Sequence, residues 1–303
     1  MAGKVCGIFD GGEDRACIGS VMSEFIRESR AYAALQVFCR SLLDADWEQS
    51  GGPLRLSGDL KLADLADVEM FDDARIFLTV LAEEDGAPAT ATGNLNRAFV
   101  RLMFDRLKLP EDYRESTLRV CKVINEGDVW PLHIVRAVSE CAGLVYRRKK
   151  RFRVTKAGRM LLADEQAGAL FRKLFIAYLQ KFDLRYEFRF RDVPGIQQTM
   201  AIILWRLDAV ARDWTPVRGL APKVLLPAVL DQLHQAATYP YDTEEWILAG
   251  YVLRPLSRLG LIERRVAGED SHVTEDDSIR ITALWRRFIC FPALFTNMRG
   301  FDN

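Results

Sequence analysis

Between Glu140 and Asp164 the chain carries eight cations and no acid: Arg147, Arg148, Lys149, Lys150, Arg151, Arg153, Lys156 and Arg159. Residues 147–151 are consecutive cations, set between two short apolar runs, Leu144-Val145-Tyr146 and Phe152 with Val154. Like charge at this density has to stay in water, while the flanking residues favour extended backbone. The segment therefore reads as a hairpin with a cationic tip. An apolar helix over 132–142 leads into it, and Gly143 ends that helix by accepting positive φ. Thr155 stands where it can cap the next helix, in the run Thr155-x-x-Gly158. Helix, glycine, cationic hairpin and capped helix together demand a small antiparallel sheet flanked by helices.

The same order of signals occurs twice more. An earlier copy has an apolar helix around 71–81, Gly86, a short extended piece, Thr90-x-x-Gly93 and a helix over 95–107. A later copy has an apolar helix over 247–259, Gly260, the extended run 261–266, a polar insert, Ile279-Arg-Ile-Thr282 and a helix containing Trp285, Phe288 and Ile289. Trp285 stands there in place of the closing glycine. The insert 267–278 holds Glu269, Asp270, Glu275, Asp276 and Asp277, so this third tip is acidic. Amphipathic helices are further expected over 16–46, 164–182 and 199–210, and 214–227, with three prolines, reads as a linker or extended arm. Ser50-Gly-Gly-Pro53 and Asp192-Val-Pro-Gly195 mark boundaries. The expected fold is mainly α with small β-hairpins (α+β): an N-terminal helical segment (1–53), a central region (54–195) and a C-terminal domain (196–303).

The string Gly143-Leu-Val-Tyr…Arg153-Val-Thr-Lys-Ala-Gly158-Arg-Met-Leu-Leu162 resembles the wing of MarR- and PadR-type winged-helix proteins. There a Gly-Leu-hydrophobic…Leu-Thr-x-x-Gly run carries the hairpin into the next helix; valine replaces the last leucine here. The resemblance implies tandem winged-helix-like units. Thr90-Ala-Thr-Gly93-Asn-Leu95 together with the later Thr155-x-x-Gly158 also resembles an uncharacterised family of plasmid-borne bacterial reading frames, over about residues 65–190. The first resemblance implies a duplex contacted by the helix ahead of the hairpin and by the wing. Winged helices also serve as protein-interaction modules.

Charge distribution sharpens the ligand question. Net charge is zero, so no whole-molecule field draws the chain to nucleic acid or to an acidic membrane. Residues 1–110 carry 12 Lys/Arg against 18 Asp/Glu, residues 111–195 carry 18 against 11, and residues 196–303 carry 12 against 13. Cations concentrate where the hairpin is. Arg147, Arg148, Lys149, Lys150, Arg151, Arg153 and Lys156 are the candidate phosphate contacts, since each phosphate neutralised releases counterions. The bland alternative is a solvated tip that discourages edge pairing. The helix at 132–142 offers few polar groups and reads as core. Arg254 and Arg258, at i and i+4, are the better base-reading pair. In 184–191, Tyr186, Phe188 and Phe190 alternate with Arg185, Arg189 and Arg191; a strand would set rings and cations on opposite faces, which reads first as a half-buried strand with its rings inward and second as a clamp for single-stranded bases.

An enzyme is harder to assemble from these residues. The three histidines (His133, His234 and His272) have no metal spacing, and neither a phosphate-loop motif nor a Gly-x-Ser-x-Gly elbow is present. His133 lies in the apolar helix and reads as a core or interface residue. The acids at 64–73 and 83–85 read as the outer face of an amphipathic helix. Six scattered cysteines, without Cys-x-x-Cys, read as free buried thiols in a reducing compartment. With no apolar run of membrane-spanning length, a cytoplasmic protein is expected. The leading expectation is a non-enzymatic nucleic-acid-binding protein, such as a transcriptional regulator, with duplex DNA as partner, no cofactor and no membrane. The alternatives are a scaffold that binds a protein partner or itself, and an enzyme with a dispersed site.

Overall fold

In the computed structural model the described residues are 33–49, 51–188, 193–237, 239, 242–267 and 273–292. Helix α1 (33–43) precedes strand β1 (Arg55–Leu56). Helix α2 (Glu69–Glu83) buries Phe71, Ala74, Leu78 and Leu81, a three- and four-residue spacing that turns one stripe inward. It ends at Gly86, whose φ of 94° lets the chain turn into β2 (Ala87–Pro88). Three helices follow: α3 (Arg97–Arg106), α4 (Glu111–Val120) and α5 (Trp130–Cys141), the last with Pro131 in its first turn. Strands β3 (Val145–Arg148) and β4 (Arg151–Val154) form the basic hairpin, and α6 (Lys156–Met160) leaves it. Strand β4 is central, so the sheet order is β2-β4-β3.

Helix α7 (Ala167–Ile176), extended by a π-turn at Ala177–Lys181, runs through the middle of the molecule, with α8 (Leu184–Phe188) and α9 (Pro194–Gln198) after it. Phe171 meets Phe71 at 6.4 Å and Phe288 at 4.8 Å, so α7 packs against both halves of the chain.

The second half repeats the first. Helix α10 (Met200–Val210) is followed by β5 (Thr215–Pro216), then α11 (Ala221–Val224) and α12 (Pro227–Ala236). Next comes one interrupted helix: α13 (Glu244–Leu248), a π-turn (Ala249–Leu253) and α14 (Arg254–Arg258). Strands β6 (Ile262–Arg265) and β7 (Ser278–Ile281) lead to α15 (Ala283–Phe288), and the sheet order is β5-β7-β6. Strand β8 (Ile289–Cys290) closes back onto β1.

The two hairpins match residue for residue. Val145↔Val154 through Arg148↔Arg151 corresponds to Ile262↔Ile281 through Arg265↔Ser278. Gly143 (φ 69°) and Gly260 (φ 66°) end the preceding helices alike. The Thr155 hydroxyl donates to Gly143 O at 3.0 Å and that of Thr282 to Gly260 O at 2.9 Å, while each hydroxyl also accepts from a backbone amide of the following helix. A proline ends each short strand, Pro88 and Pro216. Both strands lie at the edge of their sheets, where the missing amide costs no ladder bond.

Four expectations need correction. The earliest copy is not a separate unit: β2 pairs with β4 of the basic hairpin, and Asn96 rather than Thr90 caps α3. The proline-rich stretch 214–227 is built into the fold, with Val217, Leu220, Val224 and Leu225 buried, because its prolines fall in helix first turns and on an edge strand. Residues 184–188 are helical, so the alternation of rings and arginines does not set them on opposite faces; Arg189, Phe190 and Arg191 lie outside the described residues. Of the cysteines, Cys39, Cys121 and Cys141 are half-buried and Cys290 is exposed on its edge strand; Cys6 and Cys17 lie outside the described residues.

Asp73 is the one buried acid on α2 and faces Arg258 of α14, with Glu69 and Asp72 on its own helix and Lys108 beyond α3. Burial pushes its carboxyl up to about 7, against the pull of Arg258. The folded chain then holds a proton that the unfolded chain has released, so stability falls as pH rises from about 4 to about 7. Asp73→Asn is expected to raise the thermal midpoint at pH 8 and to flatten this decline. An unchanged slope between pH 4 and 7 in the variant would count against the assignment.

Candidate functional site

The basic hairpin closes through two residues only. Lys149 (φ 50°) and Lys150 (φ 57°) are both left-handed, the backbone of a tight turn whose twist matches the flanking strands. Asparagine and glycine normally occupy such positions, and each side chain forced there costs roughly 1–2 kcal/mol. Phe152 is fully buried and Val145 and Val154 nearly so, which anchors the base of the hairpin in the core. Residues 146–150 are exposed.

The predicted cations divide into three groups. Arg147 donates weakly to Gly93 O (3.4 Å), and the side chains of Arg148, Lys149 and Lys150 have no ion pair among the described residues. Lys156 and Arg159 are exposed on α6, just beyond the hairpin. Arg151 and Arg153 fold back instead: Arg151 donates to Asp85 O (3.2 Å) and Gly86 O (2.8 Å), and Arg153 pairs with Asp85 at 3.2 Å. Both sit against the C-terminal end of α2, where the helix dipole favours a cation.

Arg254 and Arg258 do not form the exposed pair that their spacing implied. The Arg258 side chain is 11% exposed; it donates to Glu69 Oε1 at 2.8 Å and reaches the Tyr178 hydroxyl at 3.4 Å. It joins α14 to α2 and to the π-turn after α7. Arg254 is half-buried one turn earlier. The packing of the two halves thus takes up the face on which both arginines lie.

Helix α5, which leads into the hairpin, has no exposed residue. Its buried Ser139 hydroxyl has no hydrogen-bond partner among the described residues, while His133, Arg136 and Glu140 belong to a buried network that sequence reasoning missed, centred on Glu126. That carboxylate is 1% exposed and accepts from His133 Nδ1 (2.6 Å), Arg136 Nε (2.6 Å) and the Leu95 amide. Arg136 also pairs with Glu140 and lies 5.4 Å over the Phe152 ring. His133 Nε2 meets the Tyr186 hydroxyl at 2.8 Å, and its ring stacks on Trp130. A carboxylate only accepts, so Nδ1 carries a proton, and the tyrosine donates to Nε2 when the ring is neutral. Burial pushes the Glu126 carboxyl up, but the hydrogen bond from His133, the Arg136 charge and the Leu95 amide together hold it below its ordinary value. The available signal was His133 and Arg136 at i and i+3 on one helix face.

The second hairpin has the opposite electrostatics. Arg264, at the position of Arg147, pairs with buried Asp277 at 2.7 Å. Arg218 is held by Glu275 (3.1 Å) and Asp276 (2.6 Å), and Arg280 by Glu263 (2.6 Å). Arg265 and Arg280 lie 4.4 and 4.9 Å over the ring of Trp214. Glu269, Asp270 and His272 lie outside the described residues.

A cleft of about 690 Å³ lies near α8 and α9, lined by Gln180, Lys181, Asp183, Arg185 and Gln197 among others. Its charges are engaged: Lys181 with Glu48 (2.8 Å) and Arg185 with Asp183 (2.7 Å). Neither His133 nor His234 lines it, and His234 pairs with Glu244 at the surface. Among the described residues no three His, Cys, Asp or Glu side chains gather as a metal site, and no helix is long and apolar enough to cross a membrane.

Fold and hairpin define the class: a mainly helical α+β protein of two like units, one of which carries an open cationic hairpin. Residues 66–168 match the family model described as the Y4jL N-terminal domain. The match starts just before α2 and ends at the start of α7, so it coincides with the first unit. The chain is also similar to the uncharacterised protein y4jL of Sinorhizobium fredii, 32% identical over 114 residues, which is 38% of this chain and 51% of that protein. The chain thus spans about half the length of the curated relative it matches. No solved structure matches it.

Proposed function

We propose that the chain binds nucleic acid through the phosphate backbone, using Arg147, Arg148, Lys149 and Lys150 as a wing. The observation that carries this reading is the internal contrast between the hairpins. Two hairpins share register, glycine and threonine cap, yet one pairs Arg264 and Arg280 with its own acids and the other leaves its tip cations open. A solvated tip that only needed solubility could be built either way. Four adjacent open cations are suited to a polyanion. The order helix, short strand, helices and hairpin, with the hairpin's second strand central, supports a winged-helix reading of each unit. Because α5 has no exposed residue, base reading by that helix is not part of the proposal. Arg254 and Arg258 are likewise left out, and duplex DNA is the partner the wing fits.

The test is the salt dependence of duplex binding for wild type and for Arg147→Ala/Arg148→Ala/Lys149→Ala/Lys150→Ala. Each phosphate contact contributes roughly 0.9 to the slope of log K against log salt. The variant is expected to lose up to about 3–4 of that slope. A flat wild-type slope, or one that the substitutions leave unchanged, overturns the proposal.

A second reading, a protein-interaction subunit, draws on α4. This helix buries no residue, and Leu118, Val120 and Val123 on and after it are 50%, 76% and 50% exposed. Self-association in light scattering that Val120→Asp abolishes would favour it over the first.

A further inference from the structure

We propose that the second hairpin and the adjoining Arg218 also form a phosphate-binding surface, masked electrostatically by Glu275 and Asp276. It would take a phosphodiester chain, with Glu275 and Asp276 now lying where backbone phosphates would lie. The inference rests on the reading of the first hairpin only for its choice of ligand. Three observations carry it.

The first is equivalence of position. Arg264, Arg265 and Arg280 occupy the places of Arg147, Arg148 and Arg153 in an identical register, so the second unit places three of its arginines where the first places cations. The second is the kind of surface they make. Trp214 has two guanidinium groups over its ring, at 4.4 and 4.9 Å, and Arg218 stands on the loop that follows β5. Arginines around an aromatic ring supply both phosphate contacts and a stacking face, the two elements of a sequence-tolerant nucleic-acid surface.

The third is the nature of the masking. Arg218 is 63% exposed and its partner Asp276 66%, so their pair is an exposed one that ionic competitors can reach. Glu275 binds Arg218 through Oε1 and lies near the Thr243 hydroxyl through Oε2 (3.4 Å), which places this carboxylate beside the start of α13. Asp277 differs. It is buried and accepts from the Ala267 amide (2.9 Å) and the Thr274 amide (2.8 Å) as well as from Arg264. Asp277 is therefore built into the hairpin, whereas Glu275 and Asp276 pair with an exposed Arg218, and the two roles can be separated by substitution. A carboxylate pair on an arginine presents oxygens much as a phosphate does. A polyanion that displaces the two carboxylates from Arg218 replaces one set of such contacts with another.

The experiment uses the full chain in five forms: wild type, the first-hairpin alanine variant, E275Q/D276N, those two sets combined, and the alanine variant with D112N/E115Q as a charge-matched control. Duplex and single-stranded DNA are titrated over a range of salt, and thermal midpoints check that every form is folded. The combined variant is expected to bind with a salt slope of roughly 2–3, where the alanine variant alone is flat. If the combined variant binds no better than the alanine variant, the proposal is overturned. It is also overturned if D112N/E115Q restores binding equally, since bulk charge then suffices. A flat wild type with a steep E275Q/D276N would sink the reading of the first hairpin and leave this one standing.

Discussion

Glu126→Ala is expected to destabilise the protein by about 3–5 kcal/mol, the cost of leaving a buried charge without its partner. Arg136 is 8% exposed and His133 4%, and both direct a ring or guanidinium nitrogen at the same Glu126 oxygen. Without the carboxylate, Arg136 retains Glu140, but its Nε–H has no acceptor in the core. The Leu95 amide loses its acceptor as well, and with it the link between α5 and the loop ahead of α3. Glu126→Gln separates charge from hydrogen bonding: it keeps an acceptor and gives up the ion pair, so it should fall between wild type and alanine. The pH dependence has a definite sign. The folded-state carboxyl lies below its ordinary value, so its contribution is complete above the unfolded-state value and is lost as pH falls through the folded one. Wild type should therefore lose stability on the acid side more steeply than Glu126→Ala. Denaturant midpoints at pH 7 and pH 4 measure both effects. A loss below 1 kcal/mol in the alanine variant would mean that the network relaxes onto water and is not load-sharing.

The fold was readable where local chemistry acts alone. Gly143 and Gly260 take the left-handed backbone their positions demand, and Thr155 and Thr282 cap the helices as their spacing implies. Pairing over distance was not readable. Gly86 and an extended stretch read as the start of another hairpin, yet the partner of β2 is β4, 65 residues away for Ala87↔Phe152 and 63 for Pro88↔Arg151. Two residues of strand carry too little pattern to declare where they pair. Arg254 and Arg258 failed for a similar reason. Their spacing places them on one face correctly, but which face is covered depends on Glu69, 189 residues away from Arg258. The open tip cations were legible because a run of five consecutive charges admits few burials, and of the five only Arg151 folds back. The pairing beside the second hairpin was half-legible: the acids were evident, and their contact with Arg218 required the fold of the loop after β5. Glu126 gave no period and no run, only a place in a polar stretch that resembles any loop.

The turn at Lys149-Lys150 allows stability and binding to be moved in opposite directions by one variant. Lys149→Asn/Lys150→Gly installs the residues that a left-handed two-residue turn favours, and relief of strain is expected to stabilise the fold by about 1–2 kcal/mol. It also deletes two of the four open cations, so the salt slope for duplex binding should fall by roughly 1.8. Retaining strained lysines where asparagine and glycine would fit better is what a site selected for its charge would show. Lys149→Gln/Lys150→Gln is the control, because it removes charge and keeps the left-handed side chains. It should weaken binding equally and leave the midpoint near that of wild type. Chemical denaturation and a salt titration on the three proteins suffice. If the Asn-Gly variant gains stability and binds duplex with an undiminished slope, the lysines are not phosphate contacts. If it loses stability, side-chain contacts of the lysines hold the turn, and the strain argument fails with them.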